Sequence, residues 1–259
     1  TKSEFQHLML FENDTMGRVL TLDGIVQTTE RDEFIYHEML SHTPILAHGA
    51  ARHVLIIGGG DGGILRRVLM HPGVERIVVV EIDEWVIDLC KKYLSSICGD
   101  SFDDPRAEVI IGDGAKFVAE DRRQFDVIIV DSPDPVGSAS VLFEHKFYHN
   151  CKSRLVQGGI IVTQNGVPFF QSSELETTVR HLRSLFMDAT CYLAPVPLYV
   201  GGFMAFGWAS DDTTLSEVAT DVLADRLIAA GLKASYYTPE VHHAAFALPE
   251  YVKALVTMV

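Results

Sequence analysis

The chain has 259 residues, 47% of them hydrophobic and 22% charged, a balance that suits one or two globular units around a full core. No run of about 18 apolar residues occurs, which excludes a helical membrane span. A formal net charge of −14 repels phosphate backbones, so no nucleic-acid partner is expected; it favours solubility and suits a polycationic small molecule.

The opening segment has no basic stretch followed by an apolar core, so no leader peptide is expected in it. Residues 5–11 are rich in apolar side chains and predict a strand. Residues 17–22 predict a second, and Asp23-Gly24 is a hairpin turn leading into a third over residues 25–28. A helix follows, with Thr29 as its cap, Asp32 and Glu33 in its first turn, an apolar face at Phe34, Ile35, Met39 and Leu40, and an end near Pro44 or soon after.

From Arg52 onward, strands and helices alternate. Strands are predicted over 53–57, 76–82, 107–111, 125–130, 159–163, 190–194 and 202–209. Helices are predicted over 64–69, 84–94, 115–119, 144–155 and 174–185, with turns and a final helix in the tail from 236. That alternation specifies an α/β fold with a doubly wound sheet. Two units are expected: an N-terminal β element over 1–30 and an α/β domain over 31–259. Cys90, Cys98, Cys151 and Cys191 show no CxxC spacing and no histidines at zinc-finger distance. They read as the reduced thiols of a cytoplasmic protein, and no metal site is expected.

Ligands of such sheets bind beyond the carboxyl ends of the strands, so the residues found there carry the functional information. The first parallel strand runs into Gly58-Gly59-Gly60-Asp61-Gly62-Gly63. Gly58, Gly60 and Gly63 fit G-x-G-x-x-G, a backbone that passes close to a ligand. Glu81 ends the next strand, where an acid grips a ribose diol. These features allow a nicotinamide enzyme and an adenosylmethionine enzyme equally. Asp61 argues against both in their ordinary form, because an anion in that loop repels a pyrophosphate or a carboxylate by several kcal/mol at an effective dielectric of roughly 20. A ligand with a bare amine there, as in decarboxylated S-adenosylmethionine, is attracted. Asp113 follows the third strand, placed to meet an adenine amino group, to cap the next helix, or both. Asp131 and Asp134 follow the fourth, stiffened by Pro133 and Pro135. A diamine carries two ammonium groups near neutral pH, and a carboxylate base plus a carboxylate anchor serves one that must lose its proton and one that keeps it. An Asx turn would explain the same pair without chemistry.

The segments LDGIVQTTERDEFIYHEML, VLIIGGGDGGILR, VVEIDEWVI, IGDGAKF, DVIIVDSPDPVG, TQNGV and YYTPEVHHAAFALPEY together resemble the spermidine synthases, in particular bacterial polyamine aminopropyltransferases. The resemblance spans nearly the whole chain. It implies aminopropyl transfer from decarboxylated S-adenosylmethionine, a co-substrate and not a bound cofactor, to putrescine, releasing spermidine and methylthioadenosine. It implies Asp131 as catalytic base and Asp134 as diamine anchor. Asp61 would take the aminopropyl amine, and Tyr36, His37, Gln164 and Tyr199 would line the polyamine channel. Gln6, Gly58, Gly60, Glu81, Asp113, Gly114 and Ser138 would surround the nucleoside. It also implies a Rossmann-like, methyltransferase-type catalytic domain over 31–259 behind the N-terminal β element, assembled as a homodimer or homotetramer. Two departures stand out. The family pattern has a small or polar residue at position 133, and Gly-Pro where this chain has Gly137-Ser138, which loosens the loop that folds over the adenine. Cadaverine, agmatine and spermidine remain alternative acceptors. A methyltransferase, a dehydrogenase and a non-catalytic polyamine sensor are the rival readings.

Overall fold

Val54-Leu55-Ile56-Ile57 is apolar at consecutive positions because both faces of its strand are covered. Val54 and Ile56 enter one core with Ile77, Val79, Met39 and Ile64, while Leu55 and Ile57 enter another with Val78, Val80, Phe147 and Tyr148. This strand, β4 (His53–Gly58), is central to a seven-stranded sheet in a computed structural model that describes residues 1–133 and 137–257. Three strands precede it: β1 (Leu8–Asn13), β2 (Gly17–Leu22) and β3 (Ile25–Thr29) form a separate antiparallel sheet. The large sheet continues with β5 (Arg76–Glu81), β6 (Ala107–Ile111), β7 (Phe125–Asp131), β8 (Leu155–Gln164), β9 (Asp188–Ala194) and β10 (Met204–Ser210), in the order β6-β5-β4-β7-β8-β10-β9. The first five in that order are parallel, and β10 is antiparallel to both neighbours. Strand order reverses at β4, which pairs with β5 on one side and β7 on the other, and so opens a crevice at their carboxyl ends.

The helices are α1 (Glu33–His48), α2 (Gly63–Leu69), α3 (Glu84–Tyr93), α4 (Ser95–Cys98), α5 (Gly114–Glu120), α6 (His145–Arg154), α7 (Ser172–Leu185), α8 (Thr220–Ala229), α9 (Pro239–Ala245) and α10 (Glu250–Thr257). None among the described residues is long and apolar enough to cross a membrane. The four cysteines are buried and free.

Several expectations need correction at their edges. Thr29 does not cap α1. Its hydroxyl donates to Asp32 Oδ1 at 2.6 Å, and Asp32 Oδ2 accepts from the Leu198 amide at 2.6 Å, so the pair ties the helix entrance to the loop after β9. The helix does end soon after Pro44, as expected, at Gly49, whose φ of 77° is left-handed and whose N–H bonds Ile45 O. Burial of nearly the whole helix outweighs the bond that proline removes. The first strand starts at Leu8 because Ser3 folds the residues before it into a turn, its hydroxyl accepting from the Phe5 and Gln6 amides. Helix α8 was not expected. It covers the end of α1, where the Arg226 guanidinium donates to the Leu46 and Ala47 carbonyls at 2.6 and 2.7 Å.

Candidate active site

The crevice between β4 and β7 opens into a cavity of about 420 Å³. Its walls include Gln6, Tyr36, His37, Gly58, Gly60, Asp61, Glu81, Asp113, Gly114, Asp131, Gln164 and Tyr199, so twelve residues singled out in the sequence meet in one place. Asp134 and the side chain of Ser138 lie outside the described residues.

Asp131 ends β7 directly beside Gly58 of β4. Glycine is required at 58, since a Cβ there would lie 1.9 Å from the Asp131 carbonyl oxygen, and φ is 82°. The Asp131 carboxylate accepts a 2.5 Å hydrogen bond from the Tyr36 hydroxyl. Burial, followed by the nearby Asp61 charge, pushes its pKa up to about 6, against the opposing Tyr36 bond and His37. A carboxylate so tuned is poised to accept a proton near neutral pH.

Asp61 too is largely shielded from solvent, its side chain 13% exposed, yet its pKa is lowered. Burial alone would raise it, but His37 lies with Nε2 3.2 Å from Asp61 Oδ2, and the Gly63 amide donates to Oδ1 at 2.8 Å. His37 is held at a pKa of about 10 despite burial, by Asp61 on one side and Glu33 on the other.

On the opposite wall, Glu81 is pushed up to about 7, first by burial and then by the charges of Asp83 and Asp131, although its oxygen accepts the Asp83 amide at 2.9 Å. Asp113 caps α5, accepting from the Ala115 and Lys116 amides at 2.8 and 3.3 Å, while still lining the cavity. Gln6 reaches the same region from the N-terminal sheet, its amide donating to Asp83 Oδ2 at 2.9 Å. Gln164 lines the cavity with its amide engaged at both ends, donating to the Ser132 carbonyl and accepting from the Gly166 amide. The Tyr199 hydroxyl donates to the Gln27 carbonyl at 2.6 Å and closes the wall next to Tyr36.

One pocket thus presents two carboxylates of different basicity beside a glycine loop, with a third carboxylate facing them at the end of β5. Residues 33–219 match the family described as spermine/spermidine synthase domain, and residues 1–30 match the spermidine synthase tetramerisation domain. The chain belongs to the spermine/spermidine synthase family. A polyamine aminopropyltransferase of Ruegeria sp. is 58% identical over 98% of this chain and 90% of its own length. Polyamine aminopropyltransferase 1 of Pseudomonas aeruginosa is 53% identical over 97% of this chain and 88% of its own. Among solved structures, a spermidine synthase in complex with the transition-state analogue AdoDATO superposes with a TM-score of 0.94 at 38% identity, covering all of this chain and 87% of that one. The spermidine synthase of Thermotoga maritima gives 0.91 at 37%, covering all of this chain and 86% of that one. The chain is accordingly a transferase of the aminopropyltransferase class, with the Rossmann-like fold of spermidine synthases.

Sequence reasoning passed over three residues beside this aminopropyltransferase pocket. Glu33 reads in the sequence as a first-turn charge, and its i,i+4 spacing to His37 was the available signal. Arg67 binds Glu33 from α2, and no sequence spacing announces that contact. Asp83 ties Ser3 and Gln6 to the end of β5, its Oδ2 accepting from the Ser3 hydroxyl at 2.6 Å.

Proposed function

We propose that the chain transfers the aminopropyl group of decarboxylated S-adenosylmethionine to putrescine, giving spermidine and methylthioadenosine. The observation that carries this is the pairing of an ionised Asp61 with a proton-accepting Asp131 in the cavity that Glu81 also faces. Asp61 receives the terminal ammonium of the donor. Glu81 holds the ribose diol, Asp113 and Gly114 meet the adenine, and Gln6, Gly58, Gly60 and Ser138 complete the nucleoside site. Asp134 anchors the distal ammonium of the diamine, and Tyr36, His37, Gln164 and Tyr199 wall its channel.

The neutral amine attacks the propyl carbon bonded to the sulfonium. Asp131 takes the proton that the attacking ammonium must lose; the freed lone pair forms the C–N bond, the C–S pair returns to sulfur, and the product leaves as a secondary ammonium. The sulfonium is already activated, so alignment of nitrogen, carbon and sulfur supplies most of the acceleration. Putrescine is favoured among the amines because the superposed structures are spermidine synthases, and spermidine is putrescine bearing one aminopropyl group.

Residues 1–30 and 31–259 are proposed as the assembly element and the catalytic domain. Exposed Phe5, Met9, Phe11 and Ile25 on the first, with its match to a tetramerisation domain, support a homodimer or homotetramer. Free thiols and small-molecule substrates support a cytoplasmic setting.

The test is an endpoint assay of the purified protein with the decarboxylated donor and putrescine, cadaverine, agmatine or spermidine, reading methylthioadenosine and aminopropylated product. Putrescine is expected to give the largest kcat/KM. Product from another amine alone overturns the acceptor, and methyl transfer from intact S-adenosylmethionine overturns the reaction.

A further inference from the structure

Glu33 and His37 sit one turn apart on α1. The His37 Nδ1 lies 2.6 Å from Glu33 Oε2, and its Nε2 lies 3.2 Å from Asp61 Oδ2. A neutral imidazole has one N–H and one lone pair, so one of these contacts would set a lone pair against a carboxylate. With both acids ionised, both contacts are attractive only when both nitrogens carry protons. The second oxygen of Glu33 accepts from Arg67 Nη2 at 2.8 Å, which leaves Glu33 aligned between two cations. His37, Glu33 and Arg67 are all buried. The ring fits there because residue 63 is glycine: a Cβ would lie 2.2 Å from two of the ring atoms.

We propose that Glu33, backed by Arg67, is a positioning residue for the transfer: it holds His37 as an imidazolium that keeps Asp61 an anion, so that of the two carboxylates only Asp131 exchanges a proton. The roles of Asp61 and Asp131 rest on the function proposed above; the charge state of His37 does not.

Two carboxylates facing one cavity resist ionising together, and the one with a cation beside it keeps its charge. The imidazolium stands on the Asp61 side. Asp131 has the neutral Tyr36 hydroxyl. The groups facing His37 are Glu33 and Tyr36 from its own helix, Asp61 from the glycine loop, Arg67 from α2, and Asp131 from β7. Glu38, on the same helix, accepts the amides of Ser235, Tyr236 and Tyr237 and lies 4.0 Å from Arg67, so it adds no second partner to the ring. The depressed pKa of Asp61 and the raised one of Asp131 have the signs this arrangement requires.

The test begins with the wild-type protein labelled with ¹⁵N-histidine, the His37 ring signals being assigned by their loss in His37→Gln. Both ring nitrogens are expected to stay protonated from pH 6 to pH 9, and a His37 titration at or below pH 7 overturns the proposal. In Glu33→Gln, with folding checked by thermal melting, the ring is expected to be neutral by pH 8. The acid limb of kcat/KM for the donor is expected to move up by about one pH unit, since Asp131 loses a nearby positive charge. A uniform loss of activity with that limb unmoved marks Glu33 as merely structural and overturns the proposal. Should no amine be turned over, the proposed function fails, and the ring spectra of wild type and Glu33→Gln still decide the charge state.

Discussion

Helix α1 buries two histidines five residues apart, and they carry opposite charge states. His37 lies between two carboxylates and is charged. His42 lies 2.9 Å from the Nε2 of His71, with Tyr237 edge-on to its ring, and Tyr237 in turn bonds the Nδ1 of His242 at 2.8 Å. Among the described residues that second group holds no carboxylate partner, and the Nε2 atoms of His42 and His242 have no hydrogen-bond partner there. Burial pushes the pKa of His42 well down, and those of His71 and His242 to about 4. Depth in the core is therefore not what sets the charge. Burial disfavours the imidazolium at both places, and only where two anions meet the ring is that cost exceeded.

The contrast is broken most severely at Asp131, the carboxylate whose hydrogen-bond partner is a neutral hydroxyl rather than the imidazolium. Asp131→Asn is expected to lower kcat by about 10²- to 10⁴-fold, the usual contribution of a positioned base, with little change in donor affinity. Near-normal turnover would remove it from the chemistry. Asp61→Asn is expected to raise the KM for the donor by about 10- to 100-fold, the loss of one charge-assisted hydrogen bond of about 1.5–3 kcal/mol. Methylthioadenosine has no terminal amine, so its affinity for this variant, measured by calorimetry, should be unchanged. A parallel loss for both ligands would place Asp61 in the nucleoside site.

Glu81 extends the comparison to an acid that burial keeps partly protonated near neutral pH. A ribose diol donates best to the ionised form. The affinity for methylthioadenosine should accordingly fall as pH drops below about 7, by up to about tenfold per unit. An affinity that is flat from pH 8 to pH 6 contradicts that contact.

The smallest expected effect is on stability. The histidines of the second group have folded pKa values below the unfolded value of 6.5, so the stability they contribute is present above that pH. It is lost as pH falls towards about 4, at up to ~1.4 kcal/mol per unit for each ring. His37 has the opposite sign: its contribution is complete below 6.5 and disappears as pH rises towards about 10. Urea unfolding from pH 4 to pH 7 should be less steep in pH for His71→Gln than for the wild type. An unchanged slope would mean that these rings do not control acid stability.

Most of the fold was legible because buried parallel strands leave continuous apolar runs, and each run ended at a glycine or an acid that the sheet then aligned. The predicted boundaries of β6 agree with the structure to the residue. The candidate site was legible for the same reason: Asp61, Glu81, Asp113 and Asp131 all follow strands of one sheet. The chain from Glu33 to Asp61 was not legible, since it joins a helix preceding β4 to a loop following it, and the pairing exists only once α1 crosses α2. Likewise α8 carries apolar residues whose partner, the end of α1, is distant in sequence.

Gly63 stands in a glycine-rich motif of the kind usually explained by ligand approach, but its hydrogen faces the His37 ring. A single added methyl group would evict an imidazole without altering any charged residue. Positions 37 and 63 are therefore sterically coupled: a larger residue at 63 needs the ring at 37 moved or replaced by something slimmer, so the motif's size limit is set by a side chain that lies outside it.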